Sequence, residues 1–179
     1  MWQKCILTSV LLALAGPGLA EERGVYLGYQ GGSYLHQSEF GNRNDRGWAH
    51  GPYAGYRFHR HGALEVQHVF QKETDDERFA YEGEVTIVSL RPVLPVNENW
   101  EFYGKLGWAW IDGQLEPAGA SPPGARSSSV AKDMALYAFG TRWAMWGLHG
   151  RVEYQFDASV FQSDPVDTSL FMLGIEYVF

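Results

Sequence analysis

The sequence predicts an all-β fold, an eight-stranded antiparallel up-and-down transmembrane β-barrel, and three observations support this prediction. Apolar and polar side chains alternate along segments of about ten residues, the length that a tilted strand needs to cross a bilayer. The connections between these segments are alternately short and long. Beyond residue 20, no apolar run reaches the roughly 20 residues of a membrane-spanning helix.

Residues 1–20 have the pattern of a secretory signal peptide. Lys4 precedes an apolar run from Ile6 to Ala15, which is followed by helix-breaking and small residues. The run is too short for a membrane-spanning helix, so an uncleaved anchor is the weaker alternative. We expect residues 1–20 to be removed on export and residues 21–179 to form the barrel domain.

Composition argues against two other classes of exported protein. The single cysteine, Cys5, lies in the predicted signal peptide, so a disulfide framework and a lipoprotein anchor are both excluded. The formal charge of −7 argues against a nucleic-acid partner. The mature chain must therefore be stabilised in another way.

Alternation is clearest near the seventh predicted strand. There Tyr154 and Phe156 fall on one face, while Arg151 and Glu153 fall on the other. The fourth segment is the least clear, because it is apolar on both faces. The predicted strands lie near 24–35, 48–58, 63–71, 83–91, 100–111, 133–144, 149–158 and 168–179.

The connections divide into two groups. Short turns are predicted at 59–62, 92–99 and 145–149, and longer polar loops at 36–47, 71–81, 112–133 and 162–167. Both ends of the domain fall on the short-turn side. This is the layout of a barrel in the outer membrane of a Gram-negative bacterium, with short periplasmic turns and long extracellular loops.

The bulk of the aromatic face decides between a membrane barrel and a soluble barrel. A soluble eight-stranded barrel points its apolar face inward and its charges outward. Here the apolar face is too bulky for the lumen of so small a barrel, so we expect it to face lipid. It carries Phe102, Trp108, Tyr137, Phe139, Trp143 and Phe156.

The opposite face is expected to place charges in the lumen. These are Arg57, Glu65, Lys105, Arg142, Arg151, Glu153 and Glu176, beside Gln30, Gln67 and Gln155. A buried charge without a partner costs several kcal/mol, so these groups must pair or be hydrated. Two arrangements satisfy this requirement: a polar core that closes the barrel, and a narrow ion-conducting path.

Other polar and aromatic groups suggest contacts with lipid. An aromatic girdle is predicted at Trp48, Tyr81, Trp100, Trp108, Trp110, Trp143, Trp146 and Tyr177. Arg43, Arg46, Arg78 and Arg126 in the loops suit lipopolysaccharide phosphates, and Asp75, Asp76 and Glu77 suit bridging cations.

Two candidate chemical sites are weak. His59 and His61 have the i, i+2 spacing of a metal pair, but no third ligand is evident nearby, so no metal or cofactor is predicted. His36 and Ser38 have the spacing of a hydrolase pair, with Glu39 beside them. Spacing alone supports a lipid A-modifying enzyme, and we predict no catalytic residues.

The strand sequences resemble those of the OmpA-like transmembrane domain family. YGKLGWAW (103–110), GRVEYQF (150–156) and SLFMLGIEYVF (169–179) resemble its fifth, seventh and eighth strands. PYAGYRF with GALEVQHVF (52–70) is similar to its second and third strands, and GVYLGYQGG (24–32) to its first. The resemblance spans the mature chain in order, without the family's separate peptidoglycan-binding domain.

The resemblance implies a role as well as a fold. It implies that Glu65, Lys105 and Arg151 belong to an interior ionic network that plugs or gates the lumen. At Arg142 the family pattern has an acid, so the pairing must differ here. The implied role is a monomeric, non-catalytic protein of membrane integrity or surface interaction, with a narrow ion-conducting minor porin as the alternative.

The last strand is expected to close the barrel against the first, near Val25 to Gln30. The resemblance further implies export through periplasmic chaperones and the barrel-assembly machinery, with Tyr177 and Phe179 as the assembly signal.

Overall fold

The computed structural model of the protein describes residues 23–38, 43–73, 79–117, 128–157 and 166–179. These residues form eight antiparallel strands that close into one barrel in chain order, which confirms the predicted fold. In this part of the chain, no helix is long and apolar enough to span a membrane. The predicted signal peptide lies outside the described residues. The strands are β1 (Gly24–Ser38), β2 (Arg43–His59), β3 (Gly62–Glu73), β4 (Phe79–Pro95), β5 (Trp100–Pro117), β6 (Ser128–Met145), β7 (Leu148–Asp157) and β8 (Val166–Val178).

Several strands are longer than predicted. The predicted turn at 92–99 was wrong in its first half, because β4 continues to Pro95. Within the predicted loop at 112–133, β5 continues to Pro117 and β6 begins at Ser128. Side-chain alternation stops where the outer face leaves the lipid, but backbone pairing between neighbouring strands does not depend on side-chain polarity. Hydrophobic pattern therefore underestimates strand length at the loop ends.

The two faces of the barrel differ as the alternation predicts. Large apolar side chains on the outer face are exposed, as at Phe139 (59%) and Leu173 (55%), whereas the inward Glu153 is fully buried. This is the reverse of a soluble barrel. The outer face therefore offers a continuous apolar surface to lipid.

The three short turns, at 60–61, 96–99 and 146–147, lie together at one end of the barrel, here called the short-turn end. The opposite end is called the long-loop end. In the turn between β6 and β7, Trp146 and Gly147 both have positive φ (47° and 82°), as in a two-residue type I′ hairpin turn. Trp146 projects almost fully exposed from this turn.

The barrel closes between β1 and β8. These strands pair from Tyr26 with Val178 through to Ser38 with Val166, and the Phe179 amide donates to the Val25 carbonyl at 2.9 Å. Closure satisfies the backbone groups that an edge strand would leave unpaired in lipid.

Glycines make room for tyrosine rings in the lumen. Tyr26 lies over Gly55, and Tyr53 lies over Gly28; each pair is directly opposite in the β1–β2 ladder. A Cβ atom at either glycine would overlap the ring. Each tyrosine ring packs over the glycine on the neighbouring strand. As a result, Tyr26 and Tyr53 lie against charged side chains in the lumen.

Candidate functional site: the lumenal ion network

Charged side chains fill the half of the lumen nearer the short-turn end. The set, here called the ion network, contains five basic and four acidic residues. Most of them are buried almost completely, because their side chains point into the lumen and away from the outer face of the barrel. The ion network consists of Arg57, Glu65, Arg91, Glu101, Lys105, Arg142, Arg151, Glu153 and Glu176.

Glu65 is the centre of the upper part of the ion network. Its carboxylate accepts a two-pronged pair of hydrogen bonds from Arg151 (3.0 and 3.1 Å). It also lies 2.5 Å from Lys105 Nζ and 3.4 Å from Arg91 Nη1. The Tyr26 hydroxyl donates a further hydrogen bond at 2.9 Å. Three cations and a hydroxyl thus replace the water that this fully buried carboxylate loses.

Glu153 is the second carboxylate at this level. Lys105 Nζ donates to it at 2.8 Å, and so does the Tyr103 hydroxyl at the same distance. Arg151 and Gln155 also donate to this carboxylate. Because Lys105 and Arg151 each contact both Glu65 and Glu153, the four charges form one connected unit rather than two separate pairs.

Glu101 and Glu176 hold the part of the network at the short-turn end. Glu101 accepts from Arg57 Nη2 (2.5 and 2.7 Å), Arg91 Nη2 (3.2 Å) and Arg142 Nη2 (3.1 Å). Glu176 accepts from Arg142 Nη1 at 2.5 Å and from Arg91 at 3.5 Å. Arg91 therefore connects this cluster to Glu65 above it.

Aromatic rings flank two of the buried arginines. The Arg91 guanidinium lies 3.9 Å from the centre of the Tyr103 ring, and that of Arg151 lies 4.2 Å from the Tyr53 ring. A guanidinium over an aromatic face gains electrostatic energy and fills space without needing another acceptor. The rings hold both arginines in the planes in which they reach their carboxylates.

All seven charges predicted from alternation lie in the ion network, namely Arg57, Glu65, Lys105, Arg142, Arg151, Glu153 and Glu176. Two members were missed. Arg91 fell at the last residue of a predicted strand, and Glu101 followed the turn predicted at 92–99. Continuing the alternation from Ser89 through Arg91 would have placed the arginine in the lumen, because β4 does not end there.

An apolar layer lies above the ion network, toward the long-loop end. Along β3 the inward residues run from Glu65 through Gln67 to Val69, and along β8 from Glu176 to Met172. Seven of the eight strands contribute to the layer, and Ile111 and Met134 pack against it. The apolar layer consists of Tyr34, Ala49, Val69, Val85, Ile87, Ala109, Leu136, Ala138, Leu170 and Met172.

The structure gives little support to a metal site at His59 and His61. The His59 and His61 rings are 5.5 Å apart, and His61 Nδ1 is 3.2 Å from the Val93 carbonyl. Within the described residues, no three His, Cys, Asp or Glu side chains converge as a metal site. The side chains of His36 and Ser38, and those of the loop arginines and acids proposed for lipopolysaccharide, lie outside the described part of the structure.

Aromatic side chains mark both ends of the lipid-facing surface. At the short-turn end, the Trp100 and Trp143 rings are 6.2 Å apart and Tyr177 packs edge-on against Phe179 (4.9 Å). Toward the long-loop end, Trp110 is exposed on β5. The Tyr81 side chain lies outside the described part. These rings suit the headgroup levels of a bilayer.

An apolar outer face and a lumen filled by paired charges in one half and apolar side chains above them define a small, closed transmembrane β-barrel. The chain belongs to the OmpA-like transmembrane domain family, whose model matches residues 20–179. The protein is therefore an outer membrane β-barrel, and the resemblance seen in its strands is confirmed.

Solved structures with the same fold share little sequence with this chain. Neisserial surface protein A (NspA) superposes with a TM-score of 0.69 at 13% identity, covering 87% of this chain and 97% of that chain. The corresponding values are 0.63, 10%, 90% and 99% for OprG from Pseudomonas aeruginosa. For Ail, the attachment invasion locus protein of Yersinia pestis, they are 0.60, 18%, 90% and 100%. Such identities establish the fold alone. Among curated protein sequences, none matches this chain.

Proposed function

We propose that the protein is a non-catalytic outer membrane barrel that supports membrane integrity or meets partners at the cell surface through its long loops. In this proposal the short-turn end faces the periplasm and the long-loop end faces outward. The observation that carries it is the mutual pairing of the buried charges: each carboxylate of the ion network is bound by at least two basic side chains.

Such pairing favours a packed, stabilising polar core over a reaction site. A catalytic carboxylate or base needs an open side for its substrate, and groups that act on a substrate have bonding capacity left for it. Glu65 has no exposed surface on its side chain and is surrounded by three cations. In this proposal the inside of the barrel serves stability, and contacts with partners are made by the loops.

A conductance recording combined with a deletion strain tests this function. Purified protein in planar bilayers is expected to show no discrete ion conductance. A strain lacking the protein is expected to become more sensitive to detergent, with full recovery on expression of the wild-type chain. Complementation by a barrel whose residues 118–127 are replaced with a Gly/Ser linker separates the two roles. Full recovery would favour membrane integrity, whereas no recovery would favour a loop-dependent partner. Steady conductance of the wild type would contradict the proposal.

We further propose a monomer that is surrounded by outer membrane lipids and lipopolysaccharide and needs no cofactor. Two features support this: exposed apolar residues lie on all eight strands, and barrel closure leaves no strand edge to pair with another copy. Periplasmic chaperones and the barrel-assembly machinery are its proposed partners during export.

Deletion of Phe179 is expected to impair assembly. Phe179 is 69% exposed and its ring packs on Tyr177, so both rings are accessible to an assembly factor, while its amide closes the seam on Val25. Heat-modifiable gel migration of membrane fractions measures the folded amount. Phe179→Tyr keeps an aromatic ring and the amide and is the control. If the deletion variant reaches the wild-type folded amount, Phe179 is not part of the signal.

A further inference from the structure

We propose that the apolar layer, and not the ion network, is the barrier that keeps ions and water from crossing the lumen. The proposal rests on the proposed function of a closed barrel and identifies the residues that close it. It also reverses the implication of the family resemblance, in which interior charges gate the lumen.

The apolar layer lines most of the lumen at its level, and on β7 the buried Gln155 lies opposite Ala138 and Leu170. Its members come from every strand except β7, and Val69, Ile87, Ala109 and Met172 are all at most 1% exposed. Inward residues two apart on one strand, such as Val85 and Ile87, differ in height by about 5 Å at the usual rise and tilt. The layer has two such tiers on β4, β6 and β8, so an ion crossing it passes two levels of hydrocarbon groups about 5 Å apart.

An ion is excluded far more strongly by this layer than by the network. In the apolar layer the Tyr34 hydroxyl is the one polar side-chain group among the members, too few to replace an ion's hydration shell, so the ion bears a large desolvation penalty. Narrow apolar constrictions also exclude water itself. In the ion network, by contrast, charged groups lie at two levels, with Glu101 nearer the short-turn end and Glu65 and Glu153 together above it, and basic groups lie beside each of them.

The polar half of the lumen has features of a hydrated compartment open to the short-turn end. At that end the Arg57 side chain is 19% exposed. Just below the apolar layer, the Gln30 amide nitrogen and oxygen and the Gln67 amide nitrogen have no hydrogen-bond partner among the described residues. Buried amide groups of this kind are normally satisfied by ordered water. Water thus fits the network half and ends at the apolar layer.

Two matched double variants test the location of the barrier. Ile87→Asn with Met172→Gln introduces polar groups of similar size into the layer. Lys105→Met with Glu153→Gln removes one cation and one carboxylate from the network and leaves its net charge unchanged. Both are reconstituted in planar bilayers after heat-modifiable migration shows that they are folded. The layer variant is expected to raise ion conductance on the order of tenfold above background, because the constriction becomes wettable. The network variant is expected to stay at background.

The opposite pattern, conductance in the network variant and none in the layer variant, would overturn the proposal. Where the layer variant fails to fold, water-edited solid-state NMR of the wild-type barrel in lipid gives the answer. The methyl groups of Ile87 and Val69 are expected to receive water magnetisation much more slowly than the side chains of Glu101 and Arg57. Equal rates would refute the barrier. Conductance of the wild type would instead refute the proposed function, so the two failures are distinguishable.

Discussion

Replacement of Glu65 by Gln is expected to lower the free energy of unfolding by about 3–5 kcal/mol, the range for breaking a buried ion pair by removing one partner. Glu65 binds Arg91, Lys105 and Arg151, all of them buried. The network holds five basic groups against four carboxylates, so loss of this carboxylate leaves two uncompensated positive charges in place of one. Urea unfolding in lipid vesicles, followed by tryptophan fluorescence, measures the change.

Two further variants show whether the effect comes from buried charge. Glu82→Gln removes a carboxylate whose ion pair with Lys72 is exposed on the outer wall, and we expect little change because solvent screens such pairs. Adding Lys105→Met to Glu65→Gln removes a cation along with the carboxylate. The double variant is expected to be more stable than Glu65→Gln alone, since charge balance is restored. If Glu65→Gln and Glu82→Gln have equal effects, the ion network does not stabilise the barrel.

The barrel could be predicted from the sequence because strand alternation is a local property. A residue such as Glu153 is assigned to the lumen by its two neighbours, Val152 and Tyr154, with no knowledge of the rest of the chain. The same local rule located the seven predicted charges. Arg91 and Glu101 lie at the ends of the predicted strands 83–91 and 100–111, beside the predicted turn at 92–99, and alternation with Ser89 and with Lys105 assigns both of them to the lumen as well.

The apolar layer explains why the fourth strand was the least clear. In EVTIVSL, the inward Val85 and Ile87 belong to the apolar layer, while the outward Val88 is lipid-exposed. Both faces are apolar because one meets the layer and the other meets the membrane. The change from charged to apolar inward residues was visible on β3 as well, where Glu65 and Gln67 precede Val69.

The pairing of the charges could not be predicted, because it depends on how the eight strands are staggered around the barrel. Arg142 shows this most clearly. The family resemblance implies an acid at its position, whereas in the structure Arg142 bridges Glu101 on the neighbouring strand β5 and Glu176 on β8, 34 residues away along the chain. The register between neighbouring strands and the shear of the closed barrel determine which carboxylates Arg142 reaches. Neither quantity can be read from local alternation.

Substitution of Gly32 by Ala is expected to disrupt the seam where β1 meets β8. A Cβ atom at this position would overlap the backbone carbonyl oxygen of Phe171 and would approach its carbonyl carbon to 2.7 Å and the Met172 Cα to 2.9 Å. All three atoms belong to the β8 backbone, so no side-chain rotation relieves the overlap. We expect a loss of about 3 kcal/mol or more, at or above the upper end for overpacked sites, measured by urea unfolding and by the folded fraction on heat-modifiable gels.

The neighbouring glycine provides a control with the opposite expected sign. At Gly31 an added Cβ would meet its nearest neighbour, the His50 Cβ, at 3.5 Å, an ordinary contact. Gly31→Ala also lowers the entropy of the unfolded chain, so we expect it to be neutral or to stabilise the barrel by about 0.5–1 kcal/mol. Both substitutions add one methyl group to adjacent residues of the same strand. Opposite effects would show that close approach of β1 and β8 requires glycine at position 32. Equal destabilisation would mean that the strand tolerates no side chain at either position, and equal stability would mean that β8 is free to move away without loss of closure.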